Sequence, residues 1–355
     1  MHTCASQAAQ RARAGAAGCF AQAGPDSGDD LYMRDADKPT DEKFPGIMSS
    51  RCRLRDDMSL ETPLSRSLGL RYPFVAAPMF LISNKEMIVA AAEAGILGCM
   101  PSLNARTSAQ FREDLAWIRQ RTDRAFGINL TIGLTQKERL EEDFAACAEF
   151  AVPVLLTSYG NPTDYVRRAH AQRMTVFHDV IGLAHAKKAA AAGVDGIIAV
   201  AAGAGGHAGR ISPYVLIPWL RDAVGLPIIA AGCISTGRQV VASLALGAEL
   251  CYLGTRFIAS TECGASNDYK QKVLASGPED ILYTDVVSGI HANFIRDTVP
   301  DGFSADRSPE GAKRWKDIWS AGQGVGLIDA VLPIGEIVEQ LAREAHDTIA
   351  ALGAR

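Results

Sequence analysis

Residues 227–256 have the sequence PIIAAGCISTGRQVVASLALGAELCYLGTR, in which an amphipathic segment lies between two short apolar runs. The runs that begin at Ile228 and Leu250 have the composition of buried strands, whereas Arg238–Leu246 has the apolar spacing of a helix. Gly247 follows that segment, at a position where glycine closes the last helical turn in a left-handed conformation. The stretch is therefore predicted to be one β-α-β unit with parallel strands.

The same unit recurs along the chain from Tyr72 onward. Predicted strands begin at Phe74, Ile96, Phe126, Val154, Thr175, Gly196, Ile228 and Leu250. Predicted helices between them cover residues 84–94, 108–120, 136–150, 164–171, 183–192, 214–223 and 238–246. Two further helices are predicted at 302–320 and 333–352, outside the repeating units.

The predicted strands are apolar on both faces, which indicates a parallel sheet covered by helices. Eight units favour a closed barrel, because an open doubly wound sheet would need a GxGxxG turn after an early strand and the first strand has none. The predicted fold class is α/β, a (β/α)8 TIM barrel with extra C-terminal helices. We divide the chain into an N-terminal tail over 1–58, which has little hydrophobic periodicity, and a barrel domain over 59–355, with helices from 302–355 packing on it.

The composition limits the partners that the protein is expected to have. Lys and Arg number 36 against 40 Asp and Glu, so the net charge of −4 provides no positive field for nucleic acid. No run approaches the roughly 18 consecutive apolar residues of a membrane-spanning helix, and the cysteines form no CxxC or zinc-type pattern. We expect a cytoplasmic protein without nucleic-acid, membrane or metal partners, which could form a homodimer through the extra helices.

The C-terminal ends of barrel strands meet at one mouth, where the loops after the seventh and eighth strands often hold a phosphate through backbone N–H groups. Gly232 follows the seventh strand, and Gly254 and Thr255 follow the eighth. Glycine lets the backbone approach a phosphate closely, and Thr255 adds a hydroxyl group at the start of a turn. The pattern predicts a phosphate site, the alternative being that these glycines only make tight turns.

The loop after the sixth strand, AAGAGGHAGR at 201–210, surrounds His207 with four glycines at the predicted mouth. An imidazole titrates near physiological pH, so His207 is a candidate general acid or base. His178 ends the fifth strand beside Asp179 and is a second candidate, the alternative being a core histidine paired to Asp179 or to a backbone carbonyl. His291, in the segment SGIHAN, could belong to a lid or contact a substrate.

Two other strand ends face the same predicted mouth. Asn129 ends the third strand, where its amide could bond a flat heterocycle or simply cap a turn. Ala77, Pro78 and Met79 end the first strand and offer an apolar wall with few hydrogen-bond donors. A flat ring could pack against this wall, although core packing would need the same residue types.

Four stretches, taken in order, carry a resemblance to a known family. They are AAGAGGHAG at 201–209, PIIAAGCISTG at 227–237, YLGTRFIAS at 252–260 and IWSAGQGVGLI at 318–328. Their order and spacing resemble those of the nitronate monooxygenases, formerly called 2-nitropropane dioxygenases, which are FMN-dependent barrels. The resemblance extends over roughly residues 70–350.

The resemblance implies a set of roles for the residues at the mouth. The residues implied to bind FMN are Ala77, Pro78, Met79, Asn129, Asp179, Gly206, Gly232, Cys233, Gly254, Thr255 and Gln323, of which Gly232, Cys233, Gly254 and Thr255 hold the phosphate. His207 matches the catalytic base, which takes the α-proton of a nitroalkane or binds the nitronate anion. The flavin then accepts an electron and O2 completes the oxidation to a carbonyl compound and nitrite.

Three departures from the family pattern bear on the chemistry. Asp179 stands where better-known members carry a basic residue, and an acidic group there would make reduced, anionic flavin harder to stabilise. Gly203 replaces a larger polar residue, and Cys233 replaces the usual second glycine of its turn.

The scaffold also resembles flavin-dependent enoyl reductases and NAD(P)H:quinone reductases, which have a related AGGH loop. An NAD(P)H-dependent reductase of enoyl-thioester or quinone substrates is therefore the main alternative function. A flavin-binding protein without turnover is a further alternative, against which the intact His207 argues.

Overall fold

The computed structural model describes residues 59–300, 302–303 and 316–354. The predicted tail over 1–58 lies outside the described residues, and so does most of the helix predicted at 302–320. Of that predicted helix, Lys316 and Asp317 are helical, whereas residues 302–303 and 318–320 are described and are not helical, so the predicted helix does not extend to residue 320.

Eight parallel strands close into a barrel, as the sequence predicts. The barrel strands are β1 (Phe74–Ala76), β2 (Leu97–Pro101), β3 (Phe126–Thr131), β4 (Val154–Ser158), β5 (Thr175–Val180), β6 (Gly196–Val200), β8 (Ile228–Ala231) and β9 (Leu250–Leu253). Each strand pairs with the next in the chain, and β1 pairs with β9 through a register that places Phe74 opposite Cys251. The predicted (β/α)8 TIM barrel and all eight of its strands are confirmed.

The helices cover the outside of the barrel. They are α1 (Pro63–Ser67), α2 (Lys85–Glu93), α3 (Ser108–Arg119), α4 (Lys137–Glu149), α5 (Thr163–Ala171), α6 (Leu183–Ala191), α7 (Pro213–Val224), α8 (Gly237–Ala245), α9 (Thr255–Ile258), α10 (Asn267–Ala275) and a C-terminal helix (Ile334–Gly353). Gly247 has a φ of +99°, so it closes the end of α8 in the left-handed region as predicted. The seven helices predicted between strands and the helix predicted at 333–352 are confirmed to within a few residues.

Side chains at alternating strand positions fill the interior of the barrel. This buried cluster consists of Val75, Leu97, Cys99, Val154, Leu156, Phe177, Ile198, Ile229, Ala231 and Leu250, together with Leu64 and Leu70. Glu249, which immediately precedes β9, accepts hydrogen bonds from the Thr62 hydroxyl and the Leu64 backbone N–H, each at 2.8 Å. Helix α1 therefore covers the N-terminal end of the barrel and leaves the C-terminal end as the mouth.

A small antiparallel sheet at the mouth has the strand order β10 (Ile281–Thr284), β11 (Ala292–Ile295), β7 (Gly206–His207). Strand β11 pairs with β7 so that Ala292 lies opposite His207. The Asn293 side chain also donates a 2.6 Å hydrogen bond to the Ala204 carbonyl. These contacts fix the loop after β6, although nothing in its local sequence predicts a strand.

The C-terminal helix packs its apolar face on the barrel helices. The buried residues of that face are Ile334, Ile337, Val338, Leu341, Ala342 and Ala345. The backbone N–H of Gly237, at the start of α8, donates a 2.8 Å hydrogen bond to the Glu344 carboxylate. A Cβ at Gly237 would overlap the backbone of Leu341 and Ala345, so only glycine fits this crossing.

The helices that the structure describes are all too short or too polar to cross a bilayer.

We expect Gly237→Ala to lower the free energy of unfolding by about 1–3 kcal/mol, because the added methyl group must push two packed helices apart. Gly335→Ala is the matched control, since Gly335 lies in the same C-terminal helix and a Cβ there would meet no atom within 4 Å. The control should be neutral or slightly stabilising, since alanine is the better helix former. Chemical denaturation of both variants measures the difference; equal stability of the two would contradict this account of the crossing.

Candidate active site

A cavity of about 720 Å³ lies at the C-terminal ends of the barrel strands. The predicted site residues that line it are Ala77, Pro78, Met79, Asn129, His178, Asp179, Gly206, His207, Gly232, Cys233, Gly254, Thr255 and His291. Gln323 lies between the lining residues Gly322 and Gly324, and its Oε1 is 4.0 Å from the Cys233 sulfur. Residues that the sequence separates by more than two hundred positions are thus brought to one cavity.

The turn after β8 has an unusual backbone. Gly232 has a φ of +115°, a conformation that side chains rarely allow, and a Cβ there would lie 3.2 Å from the Cβ of Ala204. Cys233 follows with a φ of +57° although it is not glycine. The backbone of this turn therefore comes close to the cavity, as the predicted phosphate site requires.

The turn after β9 lies beside it. Gly254 precedes α9, and the Thr255 hydroxyl accepts a 2.9 Å hydrogen bond from the Gly322 N–H. This bond leaves the Thr255 hydroxyl proton available to a ligand oxygen, since a hydroxyl group both accepts and donates. It also ties the segment around Gly322 to the rim of the cavity.

Gly203 and Cys233, the two departures in the Gly-rich turns, are in contact with each other. A Cβ at Gly203 would lie 2.5 Å from the Cys233 sulfur and 2.7 Å from Oε1 of Gln323. The Gln323 N–H also donates a 2.9 Å hydrogen bond to the Gly203 carbonyl. The thiol therefore occupies the space that a side chain at position 203 would need, and the two departures form one packing arrangement.

His207 is held by neighbours on two sides. Its Nε2 lies 3.1 Å from the Ser288 hydroxyl, which itself donates to the Ile290 carbonyl at 3.0 Å. Because the Ser288 hydroxyl proton points to Ile290, the Ser288 oxygen acts as the acceptor toward His207. This contact favours the neutral tautomer in which Nε2 carries the ring proton and Nδ1 the lone pair. The Tyr159 ring meets the imidazole edge-on, with ring centroids 5.5 Å apart.

Burial sets the charge of His207. Removal from water disfavours the imidazolium form and lowers the pKa of His207 to about 4. The ring is therefore neutral at physiological pH, which is the form that a general base needs before it accepts a proton.

His178 also lines the cavity and is paired to Thr157 on the neighbouring strand. Its Nδ1 lies 2.8 Å from the Thr157 hydroxyl, which donates to the Phe177 carbonyl. The ring also has a hydrogen bond to the Thr157 backbone, so the predicted alternative of a histidine paired to a backbone carbonyl is supported, whereas no hydrogen bond to Asp179 is found among the described residues. Burial, and then the charge of nearby His185, lower the pKa of His178 to about 4.

His291 lies at the outer rim, where its Nε2 accepts a 3.0 Å hydrogen bond from Arg210. Its ring packs against Tyr283 with centroids 5.1 Å apart. The position is compatible with contact to a substrate at the entrance rather than in the depth of the cavity.

Asp179 belongs to a buried polar chain at the ends of β3, β4 and β5. The Asn129 amide donates to the Ser158 hydroxyl at 2.7 Å, and Ser158 donates to Asp179 Oδ2 at 2.5 Å. Burial raises the pKa of Asp179 to about 6, although the bond from Ser158 lowers it in part. The other carboxyl oxygen, Oδ1, is buried and has no hydrogen-bond partner within the described part of the chain.

The sequence analysis did not identify three residues that line the cavity or contact His207, namely Ser158, Tyr159 and Ser288. Ser158 ends β4 and Tyr159 follows it, so the rule that strand ends face the mouth could have found them. Ser288 had no such signal, because the pairing of β11 with β7 brings it to His207 from 81 residues away.

Comparison with known proteins identifies the family of the chain. The family described as nitronate monooxygenase matches residues 61–307. A probable nitronate monooxygenase of Staphylococcus saprophyticus is 24% identical over an alignment of 354 residues, covering 82% of this chain and 99% of the relative.

Two solved structures have the same fold. FabK of Thermotoga maritima superposes with a TM-score of 0.73 at 28% identity, covering 83% of this chain and 99% of its own. Nitroalkane oxidase of Streptomyces ansochromogenes superposes with a TM-score of 0.71 at 25% identity, covering 82% of this chain and 100% of its own. With the family match extending over more than half of its length, the protein belongs to the nitronate monooxygenase family and is an oxidoreductase of the flavoprotein type.

Proposed function

We propose that the protein binds FMN and uses it to oxidise nitronates and nitroalkanes with O2, giving a carbonyl compound and nitrite. The observation that carries the proposal is that His207 lines the same cavity as the glycine turns at Gly232 and Gly254. A proton acceptor and a phosphate cradle are the two parts that this reaction needs in one place.

The cavity residues fit a bound flavin nucleotide. A volume of about 720 Å³ is in the range of cofactor pockets, roughly 300–1,000 Å³. The turns at Gly232 and Gly254 would hold the phosphate, and the apolar wall of Ala77–Met79 would face the ring. A Cβ on Gly206 would meet no atom within 4 Å, so its backbone borders open space that a flat ring can enter. Asn129 and Asp179 would bond the polar edge of the ring.

FMN, when bound, supplies an electron acceptor that can pass electrons to O2. His207 would take the α-proton of a neutral nitroalkane on its imidazole ring, and the contact with Ser288 would orient that ring. With a preformed nitronate no proton has to be removed, and His207 would then only position the anion. Similarity to a protein named nitroalkane oxidase supports substrates of this class.

The rim favours substrates with apolar bodies. Phe80, Leu134, Ile181 and Ile290 line the cavity and are partly exposed at its entrance. Burial of an alkyl chain against them is favourable by about 25 cal/mol per Å² of apolar surface removed from water.

Anaerobic stopped-flow absorbance tests the reaction class. FMN-loaded protein mixed with propionate 3-nitronate should show flavin reduction, whereas NADH or NADPH alone should reduce it far more slowly. Reduction by the pyridine nucleotide alone would replace this proposal with a reductase of enoyl-thioester or quinone substrates. Reduction by neither would leave only flavin binding.

His207→Asn should lower turnover of neutral nitroalkane by about 10²-fold or more, the loss typical of a missing general base. Turnover of preformed nitronate should fall much less, because that substrate has already lost its α-proton. Steady-state O2 consumption with both substrates measures the split, and unchanged FMN absorbance of the variant controls for the fold. Equal losses on both substrates would remove His207 from the proton-transfer step.

The phosphate turn is tested by a matched pair of neighbouring variants. Gly232→Ala should weaken FMN binding by about tenfold or more, because a side chain at a φ of +115° forces the turn to another conformation. Cys233→Gly should bind FMN within a few-fold of the wild type, because glycine tolerates the left-handed φ and keeps the backbone N–H. Fluorescence titration of FMN gives both dissociation constants; the reverse order would contradict the assignment of the phosphate to this turn.

A further inference from the structure

We propose that Asp179 takes up a proton when electrons enter the bound flavin, and so balances a negative charge that no lysine or arginine in the described lining of the cavity can balance. This inference rests on the flavin binding proposed above. It assigns Asp179 a role that a basic residue at the same position could not perform.

The geometry of the carboxyl group gives the first argument. Asp179 lines the cavity from the end of β5, and only one of its oxygens is used, by the 2.5 Å bond from Ser158. The other oxygen, Oδ1, is buried without a partner in the part of the chain that the structure describes. A buried carboxyl oxygen without a partner costs free energy, so a ligand group that bonds it would stabilise the site.

The electrostatic surroundings give the second argument. The lining of the cavity, over the described residues, contains no lysine and no arginine. The groups that face Asp179 from other elements are Cys99 on β2, Tyr159 after β4 and Tyr252 on β9. Burial raises the pKa of all three, and the charge of Asp179 raises each of them further, although a backbone hydrogen bond with Gly127 lowers that of Cys99 in part, so that each stays neutral.

The two buried histidines of the cavity, His178 and His207, do not supply a cation either. Burial lowers the pKa of the adjacent His178, and that of His207 across the cavity, to about 4 in each case. Both rings are therefore neutral at physiological pH. Burial raises the pKa of Asp179 to about 6, so its protonation costs little free energy. Placing the negative charge of a reduced flavin beside an ionised Asp179 would cost more.

Reduction of the ring would be coupled to the uptake of two protons, one by the ring and one by Asp179. In the oxidised enzyme above pH 6, Asp179 is ionised, and Oδ1 can accept a hydrogen bond from a ring N–H group. On electrochemical reduction, two electrons from the electrode and one proton from solvent would enter the ring, and a second proton from solvent would bond to the Asp179 carboxylate. The protonated carboxyl group can donate to a ring acceptor instead, so the pair gains two electrons and two protons in total.

The reduction potential of the bound flavin reports this stoichiometry. Uptake of two protons per two electrons lowers the midpoint potential by about 59 mV per pH unit, whereas uptake of one proton lowers it by about 30 mV. Between pH 7 and 9 the wild type should follow the steeper slope and Asp179→Asn the shallower one. Asp268→Asn, which removes the same charge from an exposed position, should keep the slope of the wild type.

Infrared difference spectra locate the second proton. Electrochemical reduction of the FMN-loaded wild type should produce the C=O band of a protonated carboxylic acid, and Asp179→Asn should lack it. Ser158→Ala is a second variant, which keeps the Asp179 carboxyl group. Loss of the hydrogen bond from Ser158 disfavours the ionised form of Asp179. The midpoint potential should therefore begin to fall by about 59 mV per pH unit at a higher pH than in the wild type.

The outcomes separate this inference from the proposed function. Absence of FMN binding by the wild type would overturn both. FMN binding with a slope of about 30 mV per pH unit in the wild type, or reduction without a new carboxyl band, would overturn the role of Asp179 alone. Should Asp179→Asn fail to fold, the infrared spectrum of the wild type and the slope of Ser158→Ala still decide the question.

Discussion

Hydrogen bonding between β1 and β9 is the constraint on which the rest of the molecule depends. It closes the barrel with all eight strands parallel, so the residue that ends each strand must lie at the same mouth. Asn129, Asp179 and Gly232 come from three different strands and would be scattered along the edge of an open sheet. The site residues thus come together because the barrel is closed. Helix α1 covers the opposite, N-terminal end of the barrel, where its contacts stabilise the fold.

The mouth itself is shaped by contacts between loops rather than by the barrel alone. Gly203, Cys233 and Gln323 pack so closely that the size of one restricts the others. Glycine at 203 and cysteine at 233 therefore depend on each other, because the Cys233 thiol occupies the space that a side chain at position 203 would need. Because the backbone N–H of Cys233 is kept, the exchange changes packing without removing a donor from the turn.

The barrel could be predicted because its signals are local. Apolar runs such as FVAAP at 74–78, glycines such as Gly247 after helices, and the repeat of the unit each act within a few residues. Most of the candidate site followed from the same signals, since strand ends determine it. The sheet of β7, β10 and β11 could not be predicted, because a two-residue strand has no periodicity and its pairing joins segments some eighty residues apart. Ser288, and with it the tautomer of His207, depends on that pairing.

One physical cause, removal from water, acts on the buried titratable groups of the cavity. It lowers the pKa of His207 and His178 and raises that of Asp179, so that each group is moved toward its neutral form. A cavity with so little fixed charge cannot stabilise an arriving anion through ion pairs. Charge brought by electrons can then be balanced by a proton that enters from solvent and binds to a buried group such as Asp179. The lack of lysine and arginine in the described lining therefore suits the site to chemistry in which electrons and protons move together.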